Sequence, residues 1–67
     1  MDYVLVREDG QYVARSGLKH SYTRKLQDAR VFTSLEEAEA NRCPENERAV
    51  RTLDCIRDLV ARAAKED

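Results

Sequence analysis

At 67 residues and a net charge of −1, the chain has room for one domain, spanning residues 1–67, and none for a deep substrate cavity. A chain this short buries only ~60% of the surface its unfolded form exposes, so its stability margin is thin. Two cysteines, Cys43 and Cys55, and one histidine, His20, are one ligand short of a four-coordinate structural zinc site and match no zinc-module spacing, so no metal and no cofactor is expected.

Met1-Asp2-Tyr3-Val4 leads straight into charged sequence without the apolar core of a secretion signal, and no stretch approaches the ~20 apolar residues of a membrane span. The expectation is a cytoplasmic protein with reduced thiols and no membrane contact. Charge is unevenly spread. Residues 13–33 carry Arg15, Lys19, Arg24, Lys25 and Arg30 against Asp28 alone, whereas residues 34–67 carry nine acids and six bases.

Tyr3–Glu8 reads as a strand of good β-formers. Asp9-Gly10 then signals a two-residue type I′ hairpin turn, and Gln11–Arg15 returns as the second strand. That turn predicts Val6 opposite Val13 and Arg7 opposite Tyr12. One sheet face then carries Val4, Val6 and Val13, and the other Tyr3, Leu5, Arg7, Tyr12 and Ala14. Ser16-Gly17 breaks the strand and opens a polar, basic loop over 16–22. Thr23 is placed to cap a short helical turn through Leu26–Ala29, and Arg30–Thr33 reads as a third strand.

Ser34-Leu35-Glu36-Glu37 is a capping box starting a helix that runs to about Arg42 and stops before Pro44. Glu45-Asn46-Glu47 is a turn. Arg48–Leu53 alternates as a short edge strand, although it also suits an early turn of the last helix. From Asp54, read as the N-cap, Ile56, Leu59, Val60, Ala63 and Ala64 recur at helical spacing and form the face expected to pack inward. Arg57, Asp58, Arg62 and Lys65 take the wet side. The fold class expected is α+β: a three- to four-stranded, mainly antiparallel sheet with an N-terminal β-hairpin and two helices on one face, in the order β-β-β-α-(β)-α.

No catalytic set is legible. His20 is the only histidine and lies in a loop. The carboxylates Glu36, Glu37 and Glu39 are explained by helix capping and the helix dipole, and the two glycines both fit turns. The protein is expected not to be an enzyme. Two surfaces stand out. Tyr3, Leu5, Arg7 and Tyr12 would form an aromatic and arginine-bearing sheet face, the composition favoured in interface cores, unless that face is the core and the valine face lies outside. In the alternative, Arg15, Lys19, Tyr22, Arg24 and Lys25 would form a basic loop able to hold phosphates and stack a base. The small core adds a reason to expect self-association as a homodimer.

Tyr3-Val4-Leu5-Val6, Gly10-Gln11-Tyr12-Val13, Tyr22-Thr23 with Leu26 and Ala29, Phe32-Thr33-Ser34 with Glu37-Ala38-Glu39, and Cys43-Pro44-Glu45-Asn46-Glu47 with Val50 form one pattern over residues 3–53. It resembles short proteins encoded by bacteriophages and prophages, most of them of unknown function. The resemblance implies a cofactor-free inhibitor that binds and blocks a host protein or protein complex, as anti-CRISPR proteins do. Its motifs are structural, and no functional residue is carried over from them. The function expected is therefore a protein-binding module acting by steric occlusion, with a nucleic-acid-binding accessory role for the basic loop as the alternative.

Overall fold

The computed structural model describes residues 1–65. A four-stranded antiparallel sheet forms its centre, with Tyr22–Thr23, Tyr12–Val13, Tyr3–Arg7 and Glu47–Arg51 side by side in that order. The strands are β1 (Tyr3–Arg7), β2 (Tyr12–Val13), β3 (Tyr22–Thr23) and β4 (Glu47–Arg51), and the helices are α1 (Leu35–Asn41) and α2 (Thr52–Lys65). The α+β class, the N-terminal hairpin and the two helices match the expectation. β4 lies at the sheet edge, which settles Arg48–Arg51 as strand and moves the start of α2 forward to Thr52.

The hairpin differs by one residue. The Gly10 N–H donates to the Arg7 carbonyl (2.9 Å), and the Arg7 N–H donates to the Gln11 carbonyl (2.7 Å). Glu8, Asp9 and Gly10 thus form a three-residue loop, a turn closed by a glycine bulge with Gly10 at φ +90°. The Asp9 carboxylate reinforces it by accepting from the Gln11 N–H (3.1 Å) and the Arg7 Nε (3.0 Å). Val6 therefore faces Tyr12, not Val13. A one-residue slip exchanges the two faces of a strand. Tyr12 joins Val4 and Val6 on one face, and Val13 joins Tyr3 and Leu5 on the other.

Beyond Val13 the hairpin opens, and residues 29–32 enter the gap between β1 and β2. Ala29 bridges Ala14, and Phe32 exchanges two 2.8 Å backbone hydrogen bonds with Tyr3. The Arg30 N–H reaches the Val13 carbonyl at 2.9 Å. The expected third strand at Arg30–Thr33 is thus a two-ended wedge, and the regular third strand is Tyr22–Thr23. The expected helical turn is a 3₁₀ turn at Leu26–Asp28 entered from Lys25, while Thr23 Oγ1 accepts from the Lys25 N–H (3.1 Å). In α1, Ser34 caps as expected by accepting from the Glu37 N–H (3.1 Å), but the Glu37 carboxylate takes the Thr33 hydroxyl (3.2 Å).

Both sheet faces are covered. Val4, Val6, Tyr12, Ala29 and Cys55 cluster on the α2 side, with Leu26 and Val50 packed against them. Leu5, Phe32 and Ala38 cluster on the α1 side, with Tyr3, Val13 and Ala49. The expected arrangement of both helices on one face is therefore corrected: each helix sits on its own face. β1 is buried on both sides because it is central, which suits its unbroken apolar run Val4-Leu5-Val6.

Candidate interaction surfaces

The sheet face expected to bind a partner does not assemble. Leu5 is 1% exposed beneath α1, and Tyr12 is 8% exposed on the opposite face. Both are core residues, a correction: the hairpin register turns Tyr12 to the α2 face, and α1 covers Leu5 on the other. Tyr3 is half-buried beside the Phe32 wedge. Arg7, also half-buried, is ion-paired with Asp9 and lies over the Tyr22 ring at 4.1 Å. That pairing, through the hydrogen bond first, raises the Arg7 pKa and holds the Asp9 carboxyl well below the usual carboxylate range.

The basic loop divides into a structural part and a free part. The Tyr22 hydroxyl donates to Glu47 Oε2 at 2.6 Å, which raises its pKa. Glu47 is buried, and its other carboxylate oxygen accepts from the Cys43 N–H (2.8 Å). Arg42 Nη1 donates to the Glu47 carbonyl (3.0 Å). Tyr22, Arg7 and Glu47 thus tie edge strand β3 to edge strand β4, so Tyr22 is held in the fold rather than offered to a base. Arg15 lies 4.0 Å from Asp28. Lys19, Arg24 and Lys25 are exposed and make no ion pair among the described residues. Lys19, His20 and Lys25 border a groove of about 310 Å³ with Leu18, Tyr22 and Asp28.

The surface that sequence patterning missed is on α2. Leu53, Ile56, Leu59 and Val60 are 51%, 45%, 42% and 64% exposed. Ala63 and Ala64 are exposed as well. The expected inward apolar face of this helix is an outward stripe. Among the described residues of this helix Cys55 alone is buried, while Asp58 and Arg62, exposed as expected, border an open cleft of about 430 Å³ with Val6, Tyr12, Arg48 and Val50. No residue separates β4 from α2, so the rotation of the helix follows the exit of the strand. The Arg51 guanidinium, donating to Asp54 at 2.9 and 3.1 Å, braces the junction and lowers the Asp54 pKa. The helical spacing of the stripe was visible in the sequence. The missing signal was the direct strand-to-helix junction that sets its phase.

Cys43 is an exposed free thiol and Cys55 a buried one. Burial, chiefly, pushes the Cys55 pKa up. Among the described residues no group of three or more His, Cys, Asp or Glu is placed to hold a metal ion, and no helix is long and apolar enough to cross a membrane.

Comparison with known proteins gives no match: no family model, no curated protein and no solved structure corresponds to this chain.

Proposed function

We propose that this chain is a non-enzymatic protein-binding module that uses the outward stripe of α2, acting in the cytoplasm as a phage-type inhibitor of a host defence complex. One observation carries the reading. Four large apolar side chains stand exposed in a row on one helix of a chain with little apolar surface to spare. Contiguous apolar patches of this kind mark interaction sites on small soluble proteins. An amphipathic helix laid into a partner's groove reads as anchors at spacings of three and four, which Leu53, Ile56 and Val60 supply. Steric occlusion needs only a rigid scaffold and this surface.

The test is affinity capture from nuclease-treated bacterial lysate by the wild type and by Val60→Asp in parallel. The reading expects one protein held by the wild type and lost from the variant. Equal capture by both would remove α2 from the interface.

Lys19 and Lys25 at their groove, with Arg24 next in sequence, all without an ion pair among the described residues, favour a second reading, contact with nucleic acid. It expects binding to a single-stranded oligonucleotide that weakens steeply with salt and is lost in Arg24→Glu/Lys25→Glu. Unchanged affinity in that variant excludes it.

A further inference from the structure

Strand register shapes the cleft beside α2. Val6 faces Tyr12 on one neighbouring strand and Arg48 on the other. Directly paired residues share a sheet face, so Tyr12, Val6 and Arg48 stand in one row on the α2 side. Neighbouring strands lie ~4.8 Å apart, which sets the backbones of Tyr12 and Arg48 about 10 Å from each other with only a valine between them. Val50, two residues beyond Arg48, continues the apolar floor, and Cys55, Asp58 and Arg62 of α2 form the remaining side. The cleft measures about 430 Å³, within the range of small-molecule sites.

Two polar groups on its walls have no protein partner. Tyr12 is 8% exposed, yet its hydroxyl makes no hydrogen bond among the described residues. Polar groups on side chains this deeply seated are normally paired. Burial, chiefly, raises the Tyr12 pKa, so at neutral pH the phenol keeps a proton to donate. Arg48, on the opposite wall, is exposed and makes no ion pair among the described residues. The other charges at the cleft are matched: Arg62 pairs with Asp58 at 2.7 Å, and Asp54 accepts from Arg51 at 2.9 Å.

The cleft thus offers one free guanidinium and one phenol proton above a floor of valines. A guanidinium fork matches a carboxylate or a phosphate. Asp54 and Asp58 border the same space, and their charges disfavour a second negative charge on the ligand. That selects a monocarboxylate over a phosphate dianion.

We propose that this cleft binds a small aliphatic or aromatic monocarboxylate, with its carboxylate held between Arg48 and the Tyr12 hydroxyl and its apolar body on Val6 and Val50. The site does not use the outward stripe of α2. Cys55 is the one buried residue of that helix among those described, so an occupant would add a second tie between α2 and the sheet.

The probe is phenylacetate, titrated into the isotope-labelled full chain and followed by backbone amide resonances. The expected result is saturable shifts concentrated at Val6, Val50 and Cys55. Affinity should fall at least tenfold in Arg48→Gln and severalfold in Tyr12→Phe, with the circular dichroism of both variants kept. Phenylacetamide, which has the same shape without the charge, should bind at least tenfold more weakly than the acid, and phenyl phosphate should also bind more weakly. Equal binding of acid and amide, or unchanged affinity in Arg48→Gln, would overturn the site. So would the absence of shifts at these residues with both phenylacetate and hexanoate up to about 10 mM. Tighter binding of phenyl phosphate would overturn the choice of a monocarboxylate.

Discussion

Replacing Phe32 by alanine tests how this small fold is held together. Phe32 is 1% exposed and packs with Leu5 and Ala38 under α1. Its backbone forms the two hydrogen bonds that seat the wedge against Tyr3, and the Arg30 guanidinium covers its ring at 4.7 Å. Truncating a buried phenylalanine costs about 3–5 kcal/mol, the lost transfer energy plus the cavity left behind. A domain of this length has a total stability of roughly 3–10 kcal/mol, and the low end suits so small a core. Phe32→Ala should therefore leave the chain largely unfolded or barely folded in water. The assay is urea unfolding followed by far-ultraviolet circular dichroism. With a slope of about 1 kcal/mol per molar urea, the midpoint should fall by about 3 M or more. Phe32→Leu, which keeps most of the volume, should lose no more than about 1.5 kcal/mol. A midpoint shift below about 1 M for Phe32→Ala would refute the placement of Phe32 as the plug between the splayed strands.

Gly10 tests the hairpin loop. With nothing near an added Cβ and φ at +90°, Gly10→Ala should lose about 1–2 kcal/mol through backbone strain alone, and Gly10→Asn should lose less. Removing the Tyr22 hydroxyl with Tyr22→Phe leaves the buried Glu47 carboxylate one donor short and should cost about 1.5 kcal/mol or more. The penalty should shrink in a Glu47→Gln background, where the charge is gone. At neutral pH a water-soluble thiol reagent should modify Cys43 quickly and Cys55 only on the timescale of unfolding, so two fast thiols would contradict the burial of Cys55. Burial raises Cys55 above its ordinary value of 9.0 and Tyr12 above 10.0. Raised acids favour the folded state fully below the unfolded pKa and lose that contribution as pH climbs through the folded one. Stability should thus hold up to about pH 9 and decline above it, and Cys55→Ala should delay the onset of the decline.

The chain announces its elements more clearly than their packing. Ser34 with Glu37 marks the start of α1, the Val4-Leu5-Val6 run marks a central strand, and Pro44 bounds the turn before β4. Asp9-Gly10 marks a hairpin, but Gly10 serves a glycine bulge as well as a type I′ turn, since both need φ > 0. Apolar patterning could not arbitrate, because the slip only exchanges Tyr12 for Val13 and both suit a core. That one residue moved Tyr12 off the anticipated patch, and α1 covered Leu5 with Tyr3 packed beside it. Tyr22 drew notice as a base-stacking aromatic in a basic stretch. Its bond to Glu47, twenty-five residues away, depends on the strand order that sets β3 and β4 at the two edges of the sheet, and local pattern carries no trace of that. The α2 stripe was legible as an apolar face. Its outward direction was not, because helical spacing fixes which residues share a face and the junction with β4 fixes where that face points.

The most direct test of the outward stripe is the urea midpoint of Val60→Asp, measured dilute enough to exclude association, beside its capture of a partner. Val60 is 64% exposed, so the substitution should shift stability by no more than about 0.5 kcal/mol while abolishing capture. A loss of several kcal/mol would show that the stripe is core and that the proposed binding face does not exist.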